Sequence, residues 1–245
     1  MPKMNYTLHQ GDCLEYMRNM QDQSVNAVVT DPPYNVDFAE WDTIPDYRSW
    51  ASSLLTEWKR ISERIAFTPG LVNVGMWSSI EYPKWILAWH KPAAMKRSPF
   101  GFSNWDAILF YGKSVVTHGF TDVIHAPIKV VQYAHPSIKP LDLMRGIIER
   151  VSLPGDTIFD PFMGSGTTGV AAIQLGRKFI GCEKEKEYFE IAESRISQAV
   201  YQPSLFTASN KSLNSDVANR PGKSSAVSQP SLFEKQVSEP TRHAG

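Results

Sequence analysis

Apolar positions recur along this chain in two rhythms, and the alternation between them predicts the architecture. Trp50, Leu54, Trp58, Ile61 and Ile65 stand four and three residues apart, which predicts an amphipathic helix over about Asp46 to Arg64. Met144, Ile147, Ile148 and Val151 repeat that spacing ahead of a stop at Pro154-Gly155, and Tyr188, Ile191, Arg195 and Ile196 mark another helix. Short runs rich in β-branched and aromatic residues predict strands near Val25 to Thr30, Ile65 to Phe67, Leu71 to Val74, Trp85 to His90, Ala107 to Tyr111, Thr157 to Phe159 and Lys178 to Gly181. Strands that alternate with helices imply an α/β fold with a doubly wound, mostly parallel sheet. Trp85, Trp89 and Trp105 fall at alternating or strand spacing and read as core or sheet-face residues.

Two of these strands run into segments that carry chemistry. The first ends in Asp31-Pro32-Pro33-Tyr34, which combines a carboxylate, a free carbonyl and an aromatic face. Consecutive prolines keep the backbone out of the helical region and turn carbonyls into a cleft. An exocyclic amine on a nucleobase is a poor nucleophile until acceptors draw on its protons, and Asp31 and the Pro32 carbonyl are such acceptors. Tyr34 offers a stacking face for a base taken out of the duplex. A proline turn closing a strand is the plain alternative for this tetrapeptide alone.

The second segment runs Asp160-Pro161-Phe162-Met163-Gly164-Ser165-Gly166-Thr167-Thr168, a strand end, a glycine loop and the start of a helix from about Thr167 to Leu175. Gly164 and Gly166 permit a tight turn and close approach to a ligand, and Thr167 and Thr168 offer hydroxyls at the helix start. With Gly169 the loop also meets the dinucleotide fingerprint, so a nicotinamide enzyme competes at this point. Glu183, at the end of the following strand, suits ribose hydroxyls in either reading.

The order of these segments discriminates, because a dehydrogenase domain usually opens with its glycine loop. Gly11-Asp12-Cys13, Asp31 to Tyr34, Trp89-His90-Lys91-Pro92, His135 to Pro140 and Phe162 to Gly166 together resemble S-adenosylmethionine-dependent DNA amino-methyltransferases of the beta class, over about residues 5 to 198. The resemblance implies a circularly permuted, Rossmann-like methyltransferase topology and an in-line transfer of methyl to an amine without a covalent enzyme intermediate. It implies catalytic roles for Asp31, Pro32, Pro33 and Tyr34, with Asp31 as orienter and acceptor. It implies that Asp12 meets the cofactor's adenine with Cys13 beside it, that Glu183 meets its ribose, and that Asp160, Phe162, Gly164, Gly166, Thr167 and Thr168 surround the remainder. Ser137 and Lys139 would lie near the methionine carboxylate, with Lys139 suited to pair with it. Asp in the first position of the catalytic motif is typical of adenine N6 members, whereas N4-cytosine members often carry Ser. An RNA or protein methyltransferase and a non-catalytic DNA- or clamp-binding adaptor are the remaining alternatives.

Composition narrows the chemistry further. The only cysteines, Cys13 and Cys182, form no Pro-Cys pair, which disfavours cytosine C5 methylation, and they read as small buried residues. Two cysteines and six scattered histidines lack zinc-ligand spacing, so no metal is expected. No run reaches the length of a membrane span and no signal-peptide core follows Met1, so a cytoplasmic protein is expected. Formal net charge is zero, but residues 84 to 150 carry an excess of five positive charges. Lys91, Lys96, Arg97, Lys113 and Lys129 in that stretch are the candidates for holding double-stranded DNA. His118 and His125 read as surface or turn residues. The target-recognition insert, about 112 to 134, is too short for a separate domain and predicts a short or relaxed recognition sequence, helped by a homodimer.

After a methyltransferase domain of residues 1 to 200, the composition of 201 to 245 shifts to Ser, Asn, Pro, Lys and Gln and predicts a disordered tail. It carries the same pentapeptide twice, Gln202-Pro203-Ser204-Leu205-Phe206 and Gln229-Pro230-Ser231-Leu232-Phe233. Both resemble peptides that bind the bacterial sliding clamp, with Gln202, Leu205, Phe206, Gln229, Leu232 and Phe233 as contacts. A local duplication with no partner is the alternative.

Overall fold

The structure, a computed structural model, describes residues 5–37, 39–92, 96–98, 100–115, 119–128 and 138–201. In chain order its main elements are β1 (Tyr6–Gln10), α1 (Cys13–Arg18), β2 (Ala27–Thr30), α2 (Tyr47–Ile61), β3 (Arg64–Phe67), α3 (Val74–Ile80), β4 (Trp85–His90), β5 (Lys96–Ser98) and β6 (Gly101–Ser103). They continue with β7 (Trp105–Gly112), β8 (Val123–His125), α4 (Leu141–Val151), β9 (Thr157–Asp160), α5 (Thr167–Gln174), β10 (Lys178–Glu183) and α6 (Lys186–Tyr201). One sheet has the order β1-β10-β9-β2-β3-β7-β4-β8, and β5 pairs with β6 in a separate ribbon. β1, β10, β9, β2 and β3 are mutually parallel, while β7 runs antiparallel between β3 and β4.

Alternation along the central strands sends side chains to two cores. Val28, Ile65, Phe67, Leu109 and Phe159 pack with α1, α2 and α3 on one face. Ala27, Val29, Ala66, Ile108 and Ile158 pack with α4, α5 and α6 on the other. Helix α2 shows how sequence fixes such an element. Asp46 caps it by accepting from the Ser49 N–H, and its stripe Ala51, Leu54, Leu55, Trp58 and Ile61 is buried. Trp58 stacks on Trp77 at 5.9 Å and tilts against Phe67 at 5.3 Å. Burying each of these rings contributes about 1.5–3 kcal/mol.

The structure changes several expectations. Leu71 to Val74 is not a strand: Leu71–Asn73 forms a 3-10 turn leading into α3. Its apolar residues are too few to distinguish a buried strand from the first turn of a helix. The helix expected to Arg64 ends at Ile61, and Arg64 opens β3. Strands β1, β5, β6 and β8 and helix α1 were not read from the sequence; four are three to six residues long and β1 has only five. Trp89 is buried and donates to the Ala126 carbonyl at 2.8 Å, but Trp85 and Trp105 are each 40% exposed.

Candidate active site

Parallel strands align their carboxyl ends along one edge of the sheet, where ligands bind in open α/β folds. Here β1, β10, β9 and β2 end in Gly11-Asp12, Glu183, Asp160 and Asp31, and these residues line a cavity of about 470 Å³. Adjacent strands β2 and β9 are tied at this edge by Thr30, whose hydroxyl donates to Asp160 Oδ1 at 2.6 Å.

One wall is the loop that follows β2. The Asp31 carboxylate accepts the Tyr34 hydroxyl at 2.6 Å and the Thr68 hydroxyl on Oδ1, and Lys139 Nζ on Oδ2. Tyr34 titrates well above the usual phenol range because it is buried and faces Asp31, so it remains a donor. Buried Asp42 accepts the N–H groups of Tyr34, Asn35 and Val36 at 2.7, 2.8 and 2.9 Å, which fixes the path of the loop. The Tyr47 hydroxyl donates to the Pro33 carbonyl at 2.7 Å; burial pushes its pKa up to about 12. Pro32 also lines the cavity, and its carbonyl has no donor among the described residues. Asn73 donates to the Tyr34 carbonyl at 2.7 Å. Gly70, at φ +70°, lies so close that a Cβ there would stand 2.8 Å from the Tyr34 ring.

The other wall is the glycine loop between β9 and α5. The Gly164 N–H donates to Glu183 Oε2 at 2.8 Å and the Glu185 N–H to Oε1 at 2.9 Å, so one carboxylate joins the loop to the turn after β10. Burial raises Glu183 above its ordinary range. Gly166 sits at φ +82°, with α6 so near that a Cβ would be 3.0 Å from Ala192. Arg195 of α6 donates to the Ser165 carbonyl and hydroxyl and to the Thr167 hydroxyl. Asp160, 1% exposed, also accepts the Phe162 N–H at 3.0 Å, and burial pushes its pKa up to about 7. Asp12 caps α1 through Oδ1, accepting from Leu14 and Glu15 at 2.8 and 3.1 Å. Cys13 and Phe162 also line the cavity, Phe162 against Trp50 at 5.7 Å. Cys13 and Cys182 are buried, and desolvation raises both thiols, which suits the expected inert role.

Two candidate DNA contacts require correction. Lys91 is 6% exposed, paired with Asp106 and 5.1 Å from the centre of the Trp89 ring, so its charge is already used inside the protein. Lys113 follows β7, which runs antiparallel, and Gly112 faces Arg64 at the start of β3. It therefore pairs with Glu63, at 2.6 Å, on the edge of the sheet opposite the cavity. Lys96 and Arg97 lie on the β5–β6 ribbon, which links the carboxyl end of β4 to the start of β7 on the cavity side. Arg97, Phe100 and Phe102 are exposed there. His125 is on β8, its Nδ1 2.9 Å from Nδ1 of His90. Lys129, Ser137, His118 and both tail pentapeptides lie outside the described residues.

Lys139 was expected beside a cofactor carboxylate, and the structure puts it on Asp31. Asp42, Tyr47, Thr68, Gly70, Asn73 and Arg195 were not singled out as site residues. Thr68-Pro69-Gly70 carried a signal, a proline–glycine turn directly after an apolar strand. Asp42 and Arg195 carried none: Asp42 meets Tyr34, Asn35 and Val36 across an irregular loop, and Arg195 meets Ser165 and Thr167 from far along the chain.

The chain as a whole has similar counterparts among known proteins. The model of the DNA methylase family matches residues 105–194. Type II methyltransferase M1.MboII of Moraxella bovis is 28% identical, over 78% of this chain and 96% of that protein. Type II methyltransferase M2.DpnII of Streptococcus pneumoniae is 29% identical, over 79% and 90%. The crystal structure of the M1.HpyAVI–SAM complex superposes with a TM-score of 0.62 at 26% identity, covering 78% of this chain and 98% of that one. The cytosine-N4-specific PvuII DNA methyltransferase, at 19% identity and TM-score 0.63 over 82% and 95%, shares the fold. With its catalytic-motif strand beside its glycine-loop strand, the chain is similar to S-adenosylmethionine-dependent DNA amino-methyltransferases.

Proposed function

We propose that this enzyme methylates adenine N6 in double-stranded DNA, with the Asp31 wall handling the flipped base and the glycine-loop wall holding the cofactor. The observation that carries this reading is that Asp31-Pro32-Pro33-Tyr34 and Gly164 to Thr168 open onto one cavity from neighbouring strands. The lining suits S-adenosylmethionine. Its acids Asp12, Asp31, Asp42, Asp160, Glu183 and Glu185 face only Lys139 and Lys184 among the described lining residues, which favours a sulfonium cation. Asp12 Oδ2 has no described donor and is free to accept the cofactor's adenine amine. Glu183 keeps lone pairs for ribose hydroxyls beyond the two N–H groups it already accepts. Cys13, Phe162 and the Thr167–Thr168 helix start complete the enclosure.

When bound, the cofactor supplies an electrophilic methyl group on sulfur. Asp31 and the Pro32 carbonyl accept the two N–H groups of the base amine, which localises its lone pair and stabilises the positive charge that grows on nitrogen as the new bond forms. Tyr34 stacks on the base, its backbone held by Asp42 and Asn73 and its ring backed by Gly70. The proton leaves nitrogen after transfer, so no strong base is needed beforehand. Asp at position 31, where N4-cytosine members often carry Ser, favours adenine.

We further read the tail peptides at Gln202 to Phe206 and Gln229 to Phe233 as tethers to a sliding clamp, and the short insert as a reason for homodimerisation on a short site in the bacterial cytoplasm. No described helix is long and apolar enough to cross a membrane. Loss of clamp retention is expected when Leu205, Phe206, Leu232 and Phe233 are all changed to Ala; unchanged retention removes the tether. The decisive experiment for the reaction is nucleoside mass spectrometry after incubation with unmethylated plasmid and methyl-labelled cofactor. N6-methyladenine from the wild type but not from Asp31→Ala is the expected result, N4-methylcytosine would reassign the base, and absence of DNA methylation would overturn the reading.

A further inference from the structure

The place that the base amine must take is crowded by three donors on Asp31. Asp31 Oδ1 accepts two hydroxyls, from Tyr34 and Thr68, and a carboxylate oxygen has about two lone-pair sites. The remaining oxygen, Oδ2, holds the Lys139 ammonium. That same Nζ stands 5.2 Å from the centre of the Tyr34 ring, over the surface on which a base would stack. Lys139 is half-buried, with a side chain 13% exposed, so it is not a loosely waving surface charge. An ammonium at this point also opposes the reaction itself, because the accepting nitrogen becomes positive during methyl transfer and like charges repel strongly in a partly desolvated cleft.

We propose that cofactor binding clears the base site: the methionine carboxylate draws Lys139 off Asp31, so that Asp31 and Tyr34 become free for the target base only once the methyl donor is in place. This rests on the cofactor reading above and extends it to an order of events. Lys139 is the half-buried cation of the lining, whereas Lys184 is exposed, so a carboxylate entering the cavity finds its partner in Lys139. The exchange swaps one ion pair for another, and Asp31, left without its cation, keeps the Tyr34 and Thr68 hydroxyls and gains the base amine as a donor. Lys139 is thus a positioning residue that acts through Asp31, and an enzyme built this way does not hold a flipped base without a methyl donor.

Linkage supplies a test that needs no DNA. If the cofactor must take Lys139 from Asp31, removing the Asp31 charge must tighten any ligand with the carboxylate, and only through Lys139. The probes are S-adenosylhomocysteine and 5′-methylthioadenosine, which lacks the amino-acid portion, titrated calorimetrically into the full chain. Asp31→Asn should bind S-adenosylhomocysteine on the order of tenfold more tightly than wild type, with methylthioadenosine affinity unchanged. In a Lys139→Met background, or Lys139→Gln should Met disturb folding, the same Asp31 change should give no gain. Methylthioadenosine binding reports that each variant is folded. A gain shared by both ligands, a gain that persists without Lys139, or no gain overturns the proposal. Failure of both ligands to bind the wild type removes the cofactor reading and this inference with it, whereas normal binding without the Lys139-dependent gain removes the inference alone. On duplex DNA with 2-aminopurine at the target base, S-adenosylhomocysteine should raise fluorescence and methylthioadenosine should not; equal responses would also overturn it.

Discussion

The two walls of the cavity are built by opposite means. The glycine loop takes its turn from its own backbone, with Gly164 and Gly166 at positive φ and a Gly166 N–H to Met163 carbonyl bond, and is braced from elsewhere by Glu183 and Arg195. The Asp31 wall has no such local rule. Its shape comes from side chains arriving from elsewhere: Asp42, Tyr47, Thr68, Asn73 and Lys139, the last 108 residues away. A wall made by local geometry tolerates change in its neighbours, and a wall made by cross-bracing fails when any brace is removed. Apart from Asp31 and Lys139, which are coupled to the cofactor through their ion pair, cofactor binding and base handling should therefore respond to different mutations.

The largest effect expected is on Asp31→Ala, which removes the acceptor on which the second wall converges. Turnover should fall by at least ~10³-fold while S-adenosylhomocysteine still binds, as measured by single-turnover kinetics beside calorimetry. Asp42→Ala tests the bracing itself. Three N–H groups lose their acceptor, so stability should fall by about 1–3 kcal/mol in urea denaturation. Turnover should fall by about 10²-fold through displaced Tyr34, with cofactor affinity kept. If cofactor affinity fell in parallel, the separation between the walls would not hold.

Gly166→Ala makes the complementary break. Its φ of +82° and the 3.0 Å approach to Ala192 mean that the loop must shift, costing roughly 1 kcal/mol or more and about tenfold in cofactor affinity, while turnover at saturation changes little. The smallest effect is the pH response of Asp160→Asn. Burial raises the native carboxyl from an ordinary 3.8 to about 7, so across that window the folded state keeps a proton that the unfolded state has lost. The associated stability is present below about pH 4 and is lost as pH rises through 7. Asn keeps an oxygen for Thr30 and Phe162 without this penalty. The variant should therefore gain a few degrees in Tm over wild type at pH 8 and little at pH 4, at about 2–4 °C per kcal/mol. An equal offset at both values would mean that Asp160 does not titrate in this range.

The same contrast explains what the sequence revealed. The glycine loop, the Asp31 tetrapeptide and the amphipathic stripes of α2 and α4 are readable because each is local: a turn, a proline constraint, a period. Asp42 was invisible because nothing in Trp41-Asp42-Thr43 says that three N–H groups will converge on it. Lys91 misled because positive charge along a sequence does not reveal a buried partner, here Asp106 fifteen residues later. Lys113 misled because the reversal of β7 carried it to the wrong edge, and strand direction is a property of the whole sheet.

The register of the outer strands has a consequence for how the chain is made. β1, at Tyr6–Gln10, pairs with β10, at Lys178–Glu183, and β2 meets β9 only after some 130 further residues. On a ribosome, the first strand waits on the order of ten seconds for its partner, and β2 exposes an unpaired, apolar edge to the cell for most of that time. Such long-range pairing slows folding, so a chain truncated before Thr157 keeps its catalytic tetrapeptide but not the sheet that supports it, and its fate is aggregation or chaperone capture.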